Sequence, residues 1–195
     1  MHIYLYDIED IENKEEVLRR LCIEYITQNK LDSPAVTELK KARIRNTPRG
    51  KPYFEGVKDI HFSVSHSGKV WACAIDSEPV GFDIEILKKK RPYVHIANRF
   101  YTEKERDYVL EGGHDAFLKI WVCKEAYLKY KGIGLSGGLA SVGFVHEDRL
   151  ICNLPDCWVE EIFIDSEIAA AYCAGGKRRT EMVKDCRGIG QGQRR

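Results

Sequence analysis

No window of the 195-residue chain comes near the roughly 18 consecutive apolar residues that a bilayer-spanning helix needs, so no membrane span is expected. The opening Met1-His2-Ile3-Tyr4-Leu5-Tyr6-Asp7 has neither a basic stretch nor a long apolar one, so no secretory signal is expected and the expected location is cytoplasmic. The seven cysteines (22, 73, 123, 152, 157, 173, 186) form no Cys-x-x-Cys pair and have no histidine spaced as a zinc partner. An odd, unclustered set argues against a disulfide framework or a structural zinc site. Cys73, Cys123 and Cys173 lie inside apolar runs and are expected as reduced, buried thiols. An excess of one charge sign is also missing, the net charge being +1.

What is present is a globular composition: 44% apolar, 31% charged and 10% aromatic, enough to bury a core and too much for a disordered chain. The length suits one domain, or two small halves sharing a core, at about 150 residues per domain. Charge is uneven, since residues 175–195 carry seven Lys/Arg against Glu181 and Asp185, a balance of +5 that leaves −4 for the rest. No aromatic is interleaved with those charges, so 176–195 is expected as a frayed basic tail and no nucleic-acid partner is expected.

Residues 2–6 alternate as a strand, and Val17, Leu18, Leu21, Cys22 and Tyr25 fall at helical spacing within 14–28. Residues 29–48 are polar with Pro34 and Pro48, and are expected as loops around a possible strand over 42–45. Strands are expected at 61–65, 69–76 and 80–86, the last two pairing as a hairpin. Helices are expected over 96–101 and 115–131, with Thr102 as an N-cap, an acidic turn at Glu103 and Glu105, and Gly132 and Gly134 as the stop. Strands return at 141–146, 149–153, 158–164 and 168–173, the first two joined through Glu147-Asp148. Grouped rather than alternating elements favour α+β over a doubly wound parallel sheet.

Three segments could carry chemistry. In Gly81-Phe82-Asp83-Ile84-Glu85 the strand period puts Asp83 and Glu85 on one side and Phe82 and Ile84 on the other. Such a carboxylate pair can hold a hard divalent cation, although taken alone the pattern favours a solvated face. In Trp121-Val-Cys-Lys124-Glu125-Ala-Tyr-Leu-Lys129, Glu125 and Lys129 stand one helical turn apart, either as an ordinary ion pair or as a functional carboxylate with a phosphate-facing lysine. Ser63-Val-Ser65-His66-Ser67-Gly68 ends a strand in a small polar turn, which can cradle phosphate oxygens or simply satisfy its own backbone.

Taken with Arg49-Gly50-Lys51-Pro52, these blocks in this order resemble the 4′-phosphopantetheinyl transferases of the surfactin-synthetase-activating type, over about 50–138 and more weakly to about 174. The resemblance implies transfer of 4′-phosphopantetheine from coenzyme A to a serine of an apo acyl or peptidyl carrier protein, releasing 3′,5′-ADP. It implies Mg²⁺ held by Asp83, Glu85 and Glu125, with Glu125 also the candidate base. Ser65 and His66 would grip the coenzyme A phosphates, Lys51 and Pro52 would lie by the adenine nucleotide, and Lys129 by the pyrophosphate. The implied fold is α+β, two similar halves about a pseudo-twofold axis, here 1–80 and 81–175, acting as a monomer.

The chain departs from the family pattern at its first helix, where Lys14-Glu15-Glu16-Val17 offers no basic residue for the 3′-phosphate; Lys40, Lys41, Arg43 and Arg45 are the substitutes at hand. Lys88–Arg91 could form a basic rim that steers an acidic carrier. The alternatives are a catalytically degenerate module that binds coenzyme A or a carrier, and a nucleic-acid-associated protein drawing on the basic tail.

Overall fold

The structure is a computed structural model that describes residues 1–31, 33–88, 92–134, 138–146, 149–150, 153–180 and 182–187. The chain opens with β1 (His2–Asp7), then helices α1 (Lys14–Gln28) and α2 (Ser33–Lys41). A small hairpin follows, β2 (Ile44–Asn46) with β3 (Pro52–Phe54), and then β4 (His61–Ser67), β5 (Val70–Asp76) and β6 (Val80–Ile86). The second half brings α3 (Tyr93–Phe100) and α4 (Glu103–Lys131) before short strands β7 (Val145–His146), β8 (Arg149–Leu150) and β9 (Asn153–Leu154). It ends with β10 (Cys157–Glu161), β11 (Ile168–Ala174) and β12 (Met182–Asp185). The expected α+β class holds.

Two four-stranded sheets form the centre, ordered β12-β1-β5-β4 and β6-β11-β10-β9. Strand alternation gives each sheet two apolar faces, which dictates four layers. Tyr4, Tyr6, Trp71, Cys73 and Ile75 face α1 and α2, while Ile3, Leu5, Ala72 and Ala74 face the other sheet. There they meet Val80, Phe82, Ile84, Ala170 and Tyr172. The far side of the second sheet, with Ala171, Cys173 and Val159, packs under α3 and α4 against Phe117, Ile120 and Ala126. The order is helix, sheet, sheet, helix. Each half also repeats one strand pattern: the first strand pairs with the last, and the last with the middle one (β1-β5-β4 and β6-β11-β10).

Helix α1 is capped by Asn13, whose side chain accepts from the amides of Glu15 and Glu16. Helix α4 starts with a capping box between Thr102 and Glu105, breaks at Gly113, whose φ of 65° is outside the helical range, and ends on Gly132 in the left-handed region. Where α4 crosses β6 the approach is close enough to exclude any side chain on the strand. A Cβ on Gly81 would lie 2.0 Å from the Ala126 carbonyl oxygen and 2.4 Å from the Tyr130 nitrogen. Gly81→Ala is therefore expected to cost about 3 kcal/mol, the upper end for overpacking, which chemical denaturation with the chain's own m-value would show.

Several expectations need correction. Residues 29–48 are not all loop: α2 forms because Ala35 and Leu39 fold onto the core and Arg19 of α1 donates to the carbonyls of Leu39 and Ala42 at its C-terminal end. The strand expected over 42–45 is β2, one to two residues later. β5 and β6 do not pair as a hairpin; β5 lies between β1 and β4, and β6 pairs with β11, so residues 77–79 carry the chain from one sheet to the other. Residues 139–141 form a 3₁₀ turn rather than the start of a strand, and 162–164 lie beyond β10.

The tail is not frayed where it is described. β12 lies parallel to β1, with Met182 opposite His2 and Asp185 opposite Leu5, and the amide of Cys186 donates to the Leu5 carbonyl. The rest, 188–195, lies outside the described residues, as do 89–91 of the basic run, the Glu147-Asp148 turn and Cys152. Cys22, Cys73, Cys123, Cys157, Cys173 and Cys186 are buried, and burial pushes the thiols of Cys22, Cys73 and Cys173 well up, which keeps them protonated. Among the described residues no helix is long and apolar enough to cross a membrane.

Candidate active site

The two sheets meet edge to edge where β4 runs beside β6, and α4 lies over β6 on the helix side. Gly81, Asp83 and Glu85 are opposite Cys173, Ala171 and Ala169 of β11, so they share the face that α4 covers, while Phe82 and Ile84 point into the inter-sheet core. The expected projection of Asp83 and Glu85 together is what the strand delivers. Both are nearly closed off, 5% and 6% exposed.

Such burial of two carboxylates demands partners. Asp83 Oδ1 accepts from the Ser65 hydroxyl at 2.6 Å and from Lys129 Nζ at 2.7 Å. Glu85 Oε2 accepts from the Ser67 hydroxyl at 2.6 Å. Burial pushes the Asp83 carboxyl up, the Lys129 ammonium and the Ser65 hydroxyl pull it back, and Glu85 pushes it up again; the net direction is upward. Lys129 also donates to the Val64 carbonyl at 3.1 Å, so α4 reaches across β6 to β4 through this one ammonium.

Beside Lys129 opens a cavity of about 320 Å³, whose lining includes Arg49, Lys51, Pro52, Ser63, Glu125 and Lys129. Its polar character is cationic: three basic side chains and one carboxylate surround it, which suits a polyanionic ligand. Lys51 Nζ donates to the carbonyls of Val80 (3.2 Å) and Tyr130 (3.3 Å), tying the β2–β3 hairpin to the last turn of α4, and burial pulls its pKa down.

The structure thus brings Lys51, Pro52, Glu125 and Lys129 around one space, with Asp83 and Ser65 joined to it through Lys129. It does not bring all the expected residues together. His66 is exposed on the face of β4 opposite to Ser65, outside this lining, because neighbouring strand residues point apart. Among the described residues no group of three or more His, Cys, Asp or Glu side chains is arranged to hold a metal ion, so Asp83, Glu85 and Glu125 do not form a ready-made ligand trio. The donor chemistry still fits a hard divalent ion, since Mg²⁺ is usually held by one or two carboxylates, with water and substrate phosphates filling the other positions. Asp83 and Glu85 are the two carboxylates that would fit that role.

Two further features escaped the sequence reading. Ser63 and Ser67 repeat the period of Ser65, a spacing of two that marks one strand face. Lys124 belongs to the helix's buried side, three and four residues from Trp121 and Leu128, and is fully buried with Glu105 at 3.0 Å. Its ammonium also donates to the carbonyls of Leu139 (2.7 Å) and Val142 (2.6 Å), while Glu105 accepts from the amides of Thr102 and Phe144. This pair pins 139–144 beneath α4. Lys124→Met is expected to destabilise the fold by about 3–5 kcal/mol because it strands the Glu105 charge, and Lys124→Met with Glu105→Gln to recover part of the loss in the same denaturation measurement.

The family model of the 4′-phosphopantetheinyl transferase superfamily matches residues 79–173, the stretch holding β6, α4 and β11. The 4′-phosphopantetheinyl transferase Sfp of Bacillus subtilis (strain 168) is 31% identical over 172 residues, covering 83% of this chain and 76% of that protein. The chain belongs to the 4′-phosphopantetheinyl transferase superfamily. Another 4′-phosphopantetheinyl transferase of Bacillus subtilis is 38% identical over 136 residues, covering 64% of this chain and 59% of its own length. A more distant member, the L-aminoadipate-semialdehyde dehydrogenase-phosphopantetheinyl transferase of Xenopus laevis, is 27% identical over 149 residues and is covered for 47% of its length. The matched stretch of the superfamily model contains Asp83, Glu85, Glu125 and Lys129, whereas Lys51, Pro52, Ser65 and His66 precede it.

Proposed function

We propose that this chain moves 4′-phosphopantetheine from coenzyme A to a serine hydroxyl of an apo acyl or peptidyl carrier protein, with Mg²⁺, and releases 3′,5′-ADP. The observation that carries this reading is the ion pair of Asp83 with Lys129, which lines a cationic cavity, in a chain whose relatives bear this enzyme's name. We read 1–80 and 81–175 as two similar halves about a pseudo-twofold axis, with the site at their seam; one chain then lines the whole cavity and works as a monomer.

Each side chain has a task that its surroundings allow. Lys51, Lys129 and Arg49 offset the negative charge of the nucleotide, with Pro52 shaping the adenine side. The Lys129 ammonium leaves Asp83 for the pyrophosphate and neutralises charge that builds on the leaving 3′,5′-ADP. Asp83 and Glu85 would hold the Mg²⁺, which when bound would supply neutralisation of phosphate charge. Glu125, half-buried on α4, takes the proton as the serine oxygen forms its bond to the pantetheine-linked phosphorus and the bond from that phosphorus to the bridging oxygen breaks. Ser65 acts through Asp83, and His66 meets the ligand from outside the cavity.

The test is to incubate the chain with coenzyme A, Mg²⁺ and a panel of apo carriers and weigh each carrier. A gain of one phosphopantetheine, abolished by a chelator, is the expected result; unmodified carriers would overturn it. A second reading, a catalytically degenerate binding module, draws on the lack of a three-carboxylate cluster among the described residues. It predicts coenzyme A binding by calorimetry with no gain in carrier mass.

A further inference from the structure

We propose that Ser67 is a positioning residue that sets the Glu85 carboxylate, as the last rung of a hydroxyl ladder clipping β4 to β6. Ser63, Ser65 and Ser67 are all buried. Their hydroxyl oxygens accept, in turn, the amides of Phe82 (2.9 Å), Ile84 (3.4 Å) and Ile86 (3.1 Å). The steps of two match on both strands, so β4 and β6 run parallel with side-chain oxygens in place of main-chain carbonyls. On its other edge β6 pairs with β11 through the main chain, so these hydroxyls satisfy amides that would otherwise be unpaired in the interior.

A hydroxyl has one proton to give besides the amide it accepts. Ser63 gives it to the Phe82 carbonyl at 3.4 Å, Ser65 to Asp83 and Ser67 to Glu85, both at 2.6 Å. Asp83 has the Lys129 ammonium as well, anchored to α4. On Glu85 the hydroxyl of Ser67 holds Oε2 from across the seam, and Ser67 is only 1% exposed, with no room to turn elsewhere. This contact therefore couples the orientation of the carboxylate to the docking of one sheet on the other. Support of this kind typically changes metal affinity by about 10–100-fold.

The inference rests on the proposed reading in one respect, that Asp83 and Glu85 hold a divalent ion. The test titrates Mn²⁺ by electron paramagnetic resonance, with coenzyme A present, into the full chain and its Ser67→Ala, Ser67→Cys and Glu85→Gln variants. Cysteine fills the volume with a poor donor, so it serves if alanine fails to fold. Weaker Mn²⁺ binding by about tenfold in the Ser67 variants, with a raised metal KM and a kcat preserved at saturating metal, is the expected result. Mn²⁺ affinity lost in Glu85→Gln but intact in both Ser67 variants overturns this inference and leaves the function standing. Mn²⁺ binding indifferent to Glu85→Gln removes the ion site itself, and the inference with it; carrier mass gain then decides the transfer activity separately.

Discussion

Asp83→Asn is expected to lower phosphopantetheine transfer by about 10³-fold, the upper range for removing one preorganised group that stabilises developing charge, while leaving the metal-free fold as stable as before or more so at neutral pH. Burial raises the folded-state pKa of Asp83 above its ordinary 3.8 despite Lys129 and Ser65. A carboxyl with a raised folded pKa binds its proton more tightly in the folded state, so its contribution is most favourable in acid and is lost as pH rises from 3.8 through the folded pKa. Above that window the ionised group is a net cost, which Asn removes while its amide oxygen still accepts from Ser65. Thermal unfolding in chelator at pH 5 and pH 8 checks the sign: the variant's advantage should be larger at pH 8. A variant less stable than its parent at pH 8 would contradict it.

Glu125→Gln should reduce turnover by about 10²–10⁴, the usual worth of a general base, or about 3–5.5 kcal/mol of barrier. Gln keeps the shape of a half-buried side chain lining the cavity, so folding should be unchanged. Because Asp83, Glu85 and Glu125 do not gather as one ligand set, the Gln variant is also expected to keep its Mn²⁺ affinity. Single-turnover transfer alongside Mn²⁺ titration separates the roles. Turnover near that of the parent refutes the base, and a joint loss of Mn²⁺ affinity makes Glu125 a ligand instead.

Much of the site is local and so was legible. The period of two through Gly81–Glu85 needs only a strand, and Glu125 and Lys129 need only one turn of helix to share a side. The placement of β6 was not legible. Its nearness in sequence to β5 suggests a hairpin, whereas it pairs with the distant β11, a long-range contact that no local pattern encodes. The same limit hid β12, whose partner β1 lies at the other end of the chain, and α2, whose few apolar residues say little until Leu39 meets α1. The resemblance places Ser65 and His66 together at the coenzyme A phosphates, whereas adjacency on a strand turns their side chains to opposite faces. A lysine in a helix is usually solvated, so nothing local marks Lys124 as buried; its burial depends on Glu105, nineteen positions away in the first turn of α4.

The central claim is that the carboxylates at the seam hold a divalent ion against the diphosphate of coenzyme A. Electron–nuclear double resonance of Mn²⁺ bound with coenzyme A tests it most directly, through the coupling of the manganese spin to phosphorus. A clear ³¹P coupling is expected in the parent chain and none in Asp83→Asn with Glu85→Gln. A coupling that survives in that double variant, or is missing from the parent, would contradict it.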